Sequence, residues 1–177
     1  VRTMADGIAV RDTSEVTLKL MLENVDKFVS VDDEEIASAI LFLLEKQKLV
    51  VEAASVERVA ALLHQKGYGI QDKKVAVVLS GGNMDVTLLS VIIEKGLVKS
   101  ARKMNVTVTL VDKPGSLHRF TRLLEELNAN IVHIAYDRTS VSLDYGDANV
   151  TVHMETKGEE HQQEIRKVLK SEGYLRE

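Results

Sequence analysis

The segment with the clearest chemical potential is Ser80–Asn83, which reads Ser-Gly-Gly-Asn. It follows an apolar run, Lys74–Leu79, and precedes a helix predicted to begin near Asp85 and to run to Gly96. In open α/β sheets, ligands bind beyond the carboxyl ends of the strands. Paired glycines let backbone amides approach a ligand, and a helix amino end favours negative charge. The glycine spacing fits neither a dinucleotide fingerprint nor a phosphate loop, and a simple tight turn explains it equally well.

A second segment with binding potential is Val111–Leu117, which places a Pro-Gly turn between a predicted strand and a predicted helix. The first amides of a helix have no acceptor inside the helix. Those of Gly115, Ser116 and Leu117 could therefore bind a carboxylate. Asp112 is placed to meet an ammonium group. An ordinary turn without a ligand remains the alternative interpretation.

Metal binding is not predicted. His133 and His153 fall on adjacent predicted strands, but they lack the carboxylate or cysteine that usually completes a metal site. The acidic run Asp32–Glu35 is better explained as a helix cap. The chain has no cysteine, which excludes disulfides and thiolate sites and is consistent with a reducing, cytoplasmic location.

The composition is that of an ordinary globular protein of one or two compact units. The 177 residues are 45% hydrophobic and 28% charged, with a net charge of -4. Basic residues are scattered among acidic ones, so nucleic-acid binding is not expected. No apolar run is long enough to span a membrane, and the first ten residues do not resemble a signal peptide.

Helices dominate the first hundred residues. The first is capped by Thr13 or Ser14, the second opens with Asp32 and Glu35 in a capping-box arrangement, and the third follows Glu52. Each carries apolar residues at helical spacing. They are Leu18, Met21, Leu22 and Val25 in the first helix, Ile36, Ala37, Ile40, Leu41, Leu43 and Leu44 in the second, and Val56, Val59, Ala60 and Leu63 in the third. Gly67 and Gly69 are predicted to end the third helix and to form the turn after it.

Strand candidates are few in this part of the chain. Lys27–Val31 is a short one, and Lys74–Leu79 has the continuous apolar character of a buried strand in a parallel sheet. A doubly wound sheet needs more parallel strands than these. We therefore expect residues 1–99 to be an incomplete, helix-rich α/β domain with one buried strand of the parallel type.

The pattern changes at Lys103. Val106–Leu110 alternates apolar residues with threonine, a helix follows, and the strands Asn130–Tyr136 and Asn149–Glu155 come next. A last helix follows Gly158, and residues 174–175 are a minimal fourth strand. The order β-α-β-β-α-β predicts a ferredoxin-like α+β domain over residues 103–177.

Three segments of the first hundred residues resemble one enzyme family. They are Ala5–Val10, Leu49–Ala53 and Val77–Asn83. In this order they are similar to the C-terminal half of threonine dehydratase (threonine ammonia-lyase), a pyridoxal-phosphate enzyme of the tryptophan-synthase-β group, also called fold type II. The resemblance implies a cofactor site with Ser80 at the pyridine nitrogen, Gly81 beside it, Gly7 next to the ring and Glu52 near the cofactor edge. Ala53–Val56 departs from the glycines that are usual in the family.

Two features of that family do not occur in this sequence. The Schiff-base lysine of the family lies in a Ser-Phe-Lys segment, and its phosphate is held by a run of glycines; this chain contains neither. The resemblance thus implies no catalytic residue here. We expect the chain alone to be inactive and not to hold pyridoxal phosphate, whereas the full-length enzyme would bind it and deaminate L-threonine.

The second half of the chain resembles an ACT domain, the amino-acid-sensing module of many metabolic enzymes. The resemblance implies an effector site between two copies, and hence a dimer or a tetramer. Its residues would be Asp112, Gly115, Ser116, Leu117, Asn130 and Ile131. Isoleucine is the expected effector, followed by valine. Two other hypotheses remain: a free-standing amino-acid-binding regulator without catalysis, and a relative of serine racemase.

Overall fold

The computed structural model describes residues 3–64, 69–70 and 72–175. The chain divides into two compact units, Val1–Gly96 and Leu97–Glu177, which are called the first and second unit below. The predicted helix-ending Gly67 lies outside the described residues, whereas Gly69 is in a turn with a φ of +83°.

The first unit is helical. After a short 3-10 turn at Asp6–Ile8 come α1 (Glu15–Asn24), α2 (Asp33–Phe42), a π-helical turn (Leu43–Gln47), α3 (Ala53–Leu63) and α4 (Val86–Lys99). The capping box at the start of α2 is confirmed, because Asp32 accepts from the Glu35 amide at 2.8 Å and Glu35 accepts from the Asp32 amide at 3.0 Å. The two bonds satisfy amides that a helix start otherwise leaves unpaired.

The core of the first unit lies between α2 and α3. Its fully buried residues recur at helical spacing on both helices, and Ile92 of α4 joins them. The main members are Ile36, Ala39, Ile40, Val56 and Ala60. The prediction that α4 ends at Gly96 is wrong, since the helix continues to Lys99. A β-carbon at Gly96 would overlap the Leu41 side chain, so this glycine allows close packing.

The predicted strands of the first unit are not formed. Lys74–Leu79 does not form a strand, and Val75 and Val78 are 47% and 69% exposed, so the expected buried strand is wrong for this chain. Lys27–Val31 is likewise not a strand, with Phe28 61% exposed. A strand needs neighbours for its backbone hydrogen bonds, and the described part of this unit contains none.

The helix α1 forms as predicted, but its apolar stripe is not buried. Leu18 is 42% exposed and Leu22 is 68% exposed, and no residue of the helix is classed as buried. The spacing of the apolar residues predicted that the segment is helical, but it did not show which surface would cover them. Burial of the stripe would require a surface that the described residues do not supply.

The second unit is an antiparallel sheet with two helices. Its elements are β1 (Lys103–Val111), α5 (Ser116–Glu126), β2 (Asn130–Asp137), β3 (Asp147–Glu155) and α6 (Glu159–Ser171). The strand order is β1-β3-β2. Strict alternation along β1 and β3 sends every second side chain into a core with Phe120, Leu124, Ile165 and Leu169 of the helices. Each such buried side chain contributes about 1.5–3 kcal/mol.

The predicted fourth strand is not formed among the described residues. Instead, α6 ends in a Schellman motif, in which Gly173 has a φ of +76° and donates to the Lys170 carbonyl at 3.1 Å. The amides of Tyr174 and Leu175 both bond to the Leu169 carbonyl. These amides therefore end the helix and are not available to a sheet. Over residues 72–175 the sheet has three strands, and the Tyr174 ring packs 5.2 Å from that of Phe120.

Among the described residues, no helix is both long enough and apolar enough to cross a membrane.

Candidate functional site

The amino end of α3 brings several predicted cofactor-site residues together. Glu52 is its N-cap, and Ser55 in its first turn is only 2% exposed. The Ser55 hydroxyl donates to the Ser80 carbonyl, lies 3.2 Å from the Ser80 hydroxyl and lies 3.4 Å from Oε1 of Glu52. One buried hydroxyl thus connects Ser80 and Glu52, which are far apart in the sequence.

The two predicted glycines lie against the same helix end. Gly81 has a φ of +77°, and a β-carbon there would overlap the Glu52 carboxylate. A β-carbon at Gly7 would come within 3.2 Å of the Ala54 β-carbon. Gly81 therefore needs glycine for its positive φ, whereas a side chain at Gly7 would require Ala54 to shift by a few tenths of an ångström. The four predicted residues all lie next to the first turn of α3 or form its cap.

Sequence reasoning missed Ser55. It lies in Ala53–Val56, where the resemblance to the family was weakest, and it reads as a helix residue among alanines. A polar side chain three residues after Glu52, in a turn that is otherwise apolar, was the available signal. The segment that departs from the family pattern thus contributes a contact to Ser80.

In the second unit, Asp112 already has partners. Tyr136 donates its hydroxyl to Oδ1 at 2.8 Å, and Nη1 of Arg138 is 3.5 Å from Oδ2. The hydrogen bond to this carboxylate raises the pKa of Tyr136 above its usual value, with burial as a smaller cause. Arg138 also lies 5.6 Å from the Tyr136 ring centre. Sequence reasoning missed both partners, and an incoming ammonium group would share Asp112 with them.

The start of α5 differs from the prediction in one detail. Gly115 is the N-cap with a φ of +87°, as a glycine turn allows. The Ser116 amide is not free, because it donates to the Lys113 carbonyl at 3.2 Å. Within the residues that the structure describes, the amides of Gly115 and Leu117 have no acceptor. The Ser116 hydroxyl accepts from Arg119 at 3.2 Å beside a hollow of about 250 Å³.

Asn130 and Ile131 lie at the other end of the sheet. Asn130 pairs with Glu155, at the last residue of β3, whereas Val111 pairs with Asp147, at the first. Eight residue steps along a strand correspond to about 26 Å. One copy of the chain therefore does not bring these two residues to Asp112, and the predicted six-residue site is not formed within one copy.

The two sheet histidines do share a face. The rings of His133 and His153 are 5.5 Å apart and nearly perpendicular. No group of three or more metal-ligating side chains occurs in the portion of the chain that is described. The pair is an edge-to-face ring contact.

Comparison with known proteins matches each half of the chain to a different family. The family described as "Pyridoxal-phosphate dependent enzyme" matches residues 1–81, and the ACT domain family matches residues 104–173. The chain joins part of a pyridoxal-phosphate dependent enzyme to an ACT domain. The second unit is thus an ACT domain by both fold and sequence.

Several proteins that are similar to this chain are named as threonine ammonia-lyases or threonine dehydratases. The L-threonine ammonia-lyase of Thermotoga maritima is 43% identical over 97% of this chain and 42% of its own length. That of Geobacter sulfurreducens is 44% identical over 98% of this chain and 43% of its own. The "L-threonine dehydratase biosynthetic IlvA" of Staphylococcus aureus is 35% identical over 65% of this chain and 27% of its own.

These comparisons confirm the predicted relation to threonine dehydratase with an ACT domain, and with it the predicted fold class. Nearly the whole chain matches the two L-threonine ammonia-lyases, but it spans less than half of the length of each.

Proposed function

We propose that this chain is part of a pyridoxal-phosphate-dependent threonine ammonia-lyase, which converts L-threonine to 2-oxobutanoate and ammonia. The observation that carries the proposal is the convergence of Glu52, Ser80 and Gly81 at the amino end of α3. The names of the relatives that match nearly the whole chain support the substrate.

The residues present fit one end of the cofactor. Ser80 is an exposed residue, and a β-carbon at Gly81 would overlap the Glu52 carboxylate. Ser80 would hold the ring nitrogen, Gly81 would keep that approach open, Gly7 would place backbone beside the ring, and Glu52 would lie at the cofactor edge. When bound, pyridoxal phosphate supplies the electron sink for β-elimination of a hydroxyl group.

Ser80 sets the electronic character of this site. A hydroxyl is neutral and can both donate and accept a hydrogen bond. Unlike an aspartate, it does not require a proton on the ring nitrogen. A weaker electron sink suits elimination better than a long-lived carbanion. Ser55 holds the Ser80 backbone and hydroxyl, and so orients this group.

We assign no catalytic residue in this chain. No lysine here lies in a Ser-Phe-Lys segment, and the family's glycine run does not occur. An imine-forming amine is needed for covalent catalysis by this cofactor. We therefore propose that the chain by itself is inactive and that the amine belongs to residues outside this sequence.

The ACT domain is proposed to bind an amino-acid effector between two copies of the chain. One copy would provide Asp112, Gly115, Ser116 and Leu117, and the other Asn130 and Ile131. The separation of about 26 Å between these groups in one copy supports a two-copy site. Isoleucine is the proposed effector, since 2-oxobutanoate leads to it, and a dimer or tetramer is the proposed assembly.

Two assays of the full-length protein test the proposal. Loaded with pyridoxal phosphate, it should release 2-oxobutanoate and ammonia from L-threonine in equal amounts. Calorimetry should show heat on addition of isoleucine. Isoleucine binding without any deamination would refute the lyase and favour a non-catalytic regulator. Deamination without binding of isoleucine or valine would refute the effector proposal alone.

A further inference from the structure

In the second unit, the His161 ring accepts one hydrogen bond and donates another. It lies in the first turn of α6 and is partly buried. Its Nδ1 accepts from the Lys157 amide at 3.0 Å, and its Nε2 is 2.7 Å from the Leu127 carbonyl. The ring therefore joins the turn before α6 to the end of α5.

These two partners determine where the proton of the imidazole lies. An amide nitrogen can only donate, so Nδ1 must be unprotonated. A carbonyl oxygen can only accept, so Nε2 must carry hydrogen. Only the neutral Nε2–H tautomer makes both bonds. A second proton, on Nδ1, would remove the acceptor for the Lys157 amide.

The Leu127 carbonyl belongs to the corner that leads into β2. Asn128, with a φ of +56°, reverses the chain, and its amide and that of Ala129 bond back to carbonyls of α5 at 2.8 and 3.0 Å. Asn130 follows directly. His161 thus holds the corner three residues before the first proposed effector contact on this strand.

The same corner is held at its other end. Nδ2 of Asn130 donates to Oε2 of Glu155 at 2.8 Å. The segment from Leu127 to Asn130 is therefore attached at one end to the first turn of α6 and at the other end to the last residue of β3. This bond uses one of the two Nδ2 hydrogens, so the Asn130 oxygen and the second Nδ2 hydrogen are left to face a ligand.

The β3–α6 turn and the start of α6 are bonded to the chain at the beginning of β1. The Thr156 hydroxyl donates to the Ala101 carbonyl at 2.6 Å, and Nε2 of Gln162 donates to the Lys103 carbonyl at 3.0 Å. These bonds hold the segment that carries His161 in place. A hydrogen bond from a segment held in this way restricts the α5–β2 corner more than a hydrogen bond between two loops that are both free to move.

We propose that neutral His161 is a positioning residue of the effector site, which holds the α5–β2 corner so that Asn130 and Ile131 are presented in one geometry. The proposal rests on the proposed effector function of the ACT domain. Preorganisation of a binding segment raises affinity because less conformational freedom is lost on binding.

The effect of a second proton on His161 follows from its hydrogen bonds and not from the charges around it. Lys157, Glu160 and Glu164 line a hollow of about 320 Å³ together with His161, and the corner after α5 contributes Leu127 and the uncharged Asn128. Protonation of Nδ1 would break the bond to the Lys157 amide whatever these charges do. Loss of this bond should release the α5–β2 corner and lower effector affinity.

The test compares two substitutions in the full-length protein by isoleucine calorimetry. His161→Leu removes both bonds and should weaken binding by roughly tenfold. His161→Gln retains one acceptor and one donor, and should bind within about twofold of the wild type. His64→Leu and His64→Gln, at the exposed end of α3, serve as matched controls.

A second measurement keeps the test decisive if His161→Leu does not fold. Nitrogen NMR of the wild type should show His161 with hydrogen on Nε2 and none on Nδ1. The opposite tautomer would overturn the proposal, as would equal affinities for wild type and His161→Leu, or equal losses for the Leu and Gln variants. If the wild type binds no branched-chain amino acid, the effector function fails and the positioning role with it, even where NMR shows the expected tautomer.

Discussion

Substitution of Ser55 by alanine tests whether α3 holds Ser80 in place. Ser55 is 2% exposed, donates to the Ser80 carbonyl and lies 3.2 Å from the Ser80 hydroxyl. Alanine keeps the β-carbon and removes only the hydroxyl, so the packing of the helix start hardly changes. Any effect on the cofactor must then come from the lost connection.

The size of the effect follows from what replaces the lost bond. A hydrogen bond contributes about 0.5–1.5 kcal/mol net, and more when a buried partner is left unsatisfied. Ser80 is exposed, so water can replace the donor at its carbonyl. We therefore expect a cost of about 1 kcal/mol, which is about a fivefold loss of affinity for pyridoxal phosphate.

The assay is equilibrium dialysis of pyridoxal phosphate against full-length wild type, Ser55→Ala and the control Ser90→Ala. Ser90 is exposed on α4, so its substitution should leave cofactor affinity unchanged. Thermal unfolding of the same samples separates a general loss of stability from a local one. Equal cofactor affinities for the Ser55 and Ser90 variants would refute the role of Ser55.

Three further predictions concern single positions. Gly81→Ala should destabilise by more than about 1 kcal/mol in denaturant unfolding, because of the positive φ and the overlap with Glu52; no change would contradict that packing. Asp32→Ala should lower the free energy of unfolding by about 1 kcal/mol through loss of the capping box, and an unchanged midpoint would count against the cap. Tyr136 should titrate above its usual pKa in an NMR pH series. The raised pKa means that the folded state favours the neutral phenol. The resulting stabilisation of the fold is fully present below the pKa of Tyr136 in the unfolded state and is lost as pH rises through its pKa in the folded state. Asp112→Asn should lower the Tyr136 pKa towards its usual value, and an unmoved titration would show that the carboxylate is not the cause.

Local patterns predicted the elements whose determinants lie within a few residues. The capping box at Asp32 and Glu35 specifies a helix start with two bonds that need nothing beyond that turn. Alternation along β1 specifies a strand with one buried face, and the structure shows that alternation. The structure also brings Glu52 and Ser80 together through Ser55, and their role at the cofactor stays a prediction.

The failures concern features that depend on distant chain. Lys74–Leu79 has the composition of a buried strand, but a strand forms only where neighbours accept its hydrogen bonds. Tyr174 and Leu175 were too few residues to outweigh the helix-ending bonds at Gly173. The placement of Asn130 opposite Glu155 follows from strand register, which no short motif reveals. The distance between Asn130 and Asp112 could therefore not be predicted from the sequence.

The ring nitrogen of the cofactor gives the most direct test of the proposed site. We would measure its nitrogen NMR shift in the full-length protein loaded with labelled pyridoxal phosphate, for the wild type and for Ser80→Asp. An unprotonated ring nitrogen in the wild type and a protonated one in Ser80→Asp are expected, because only the carboxylate stabilises the extra proton. A protonated ring nitrogen in the wild type, or the same shift in both proteins, would contradict the assignment of Ser80.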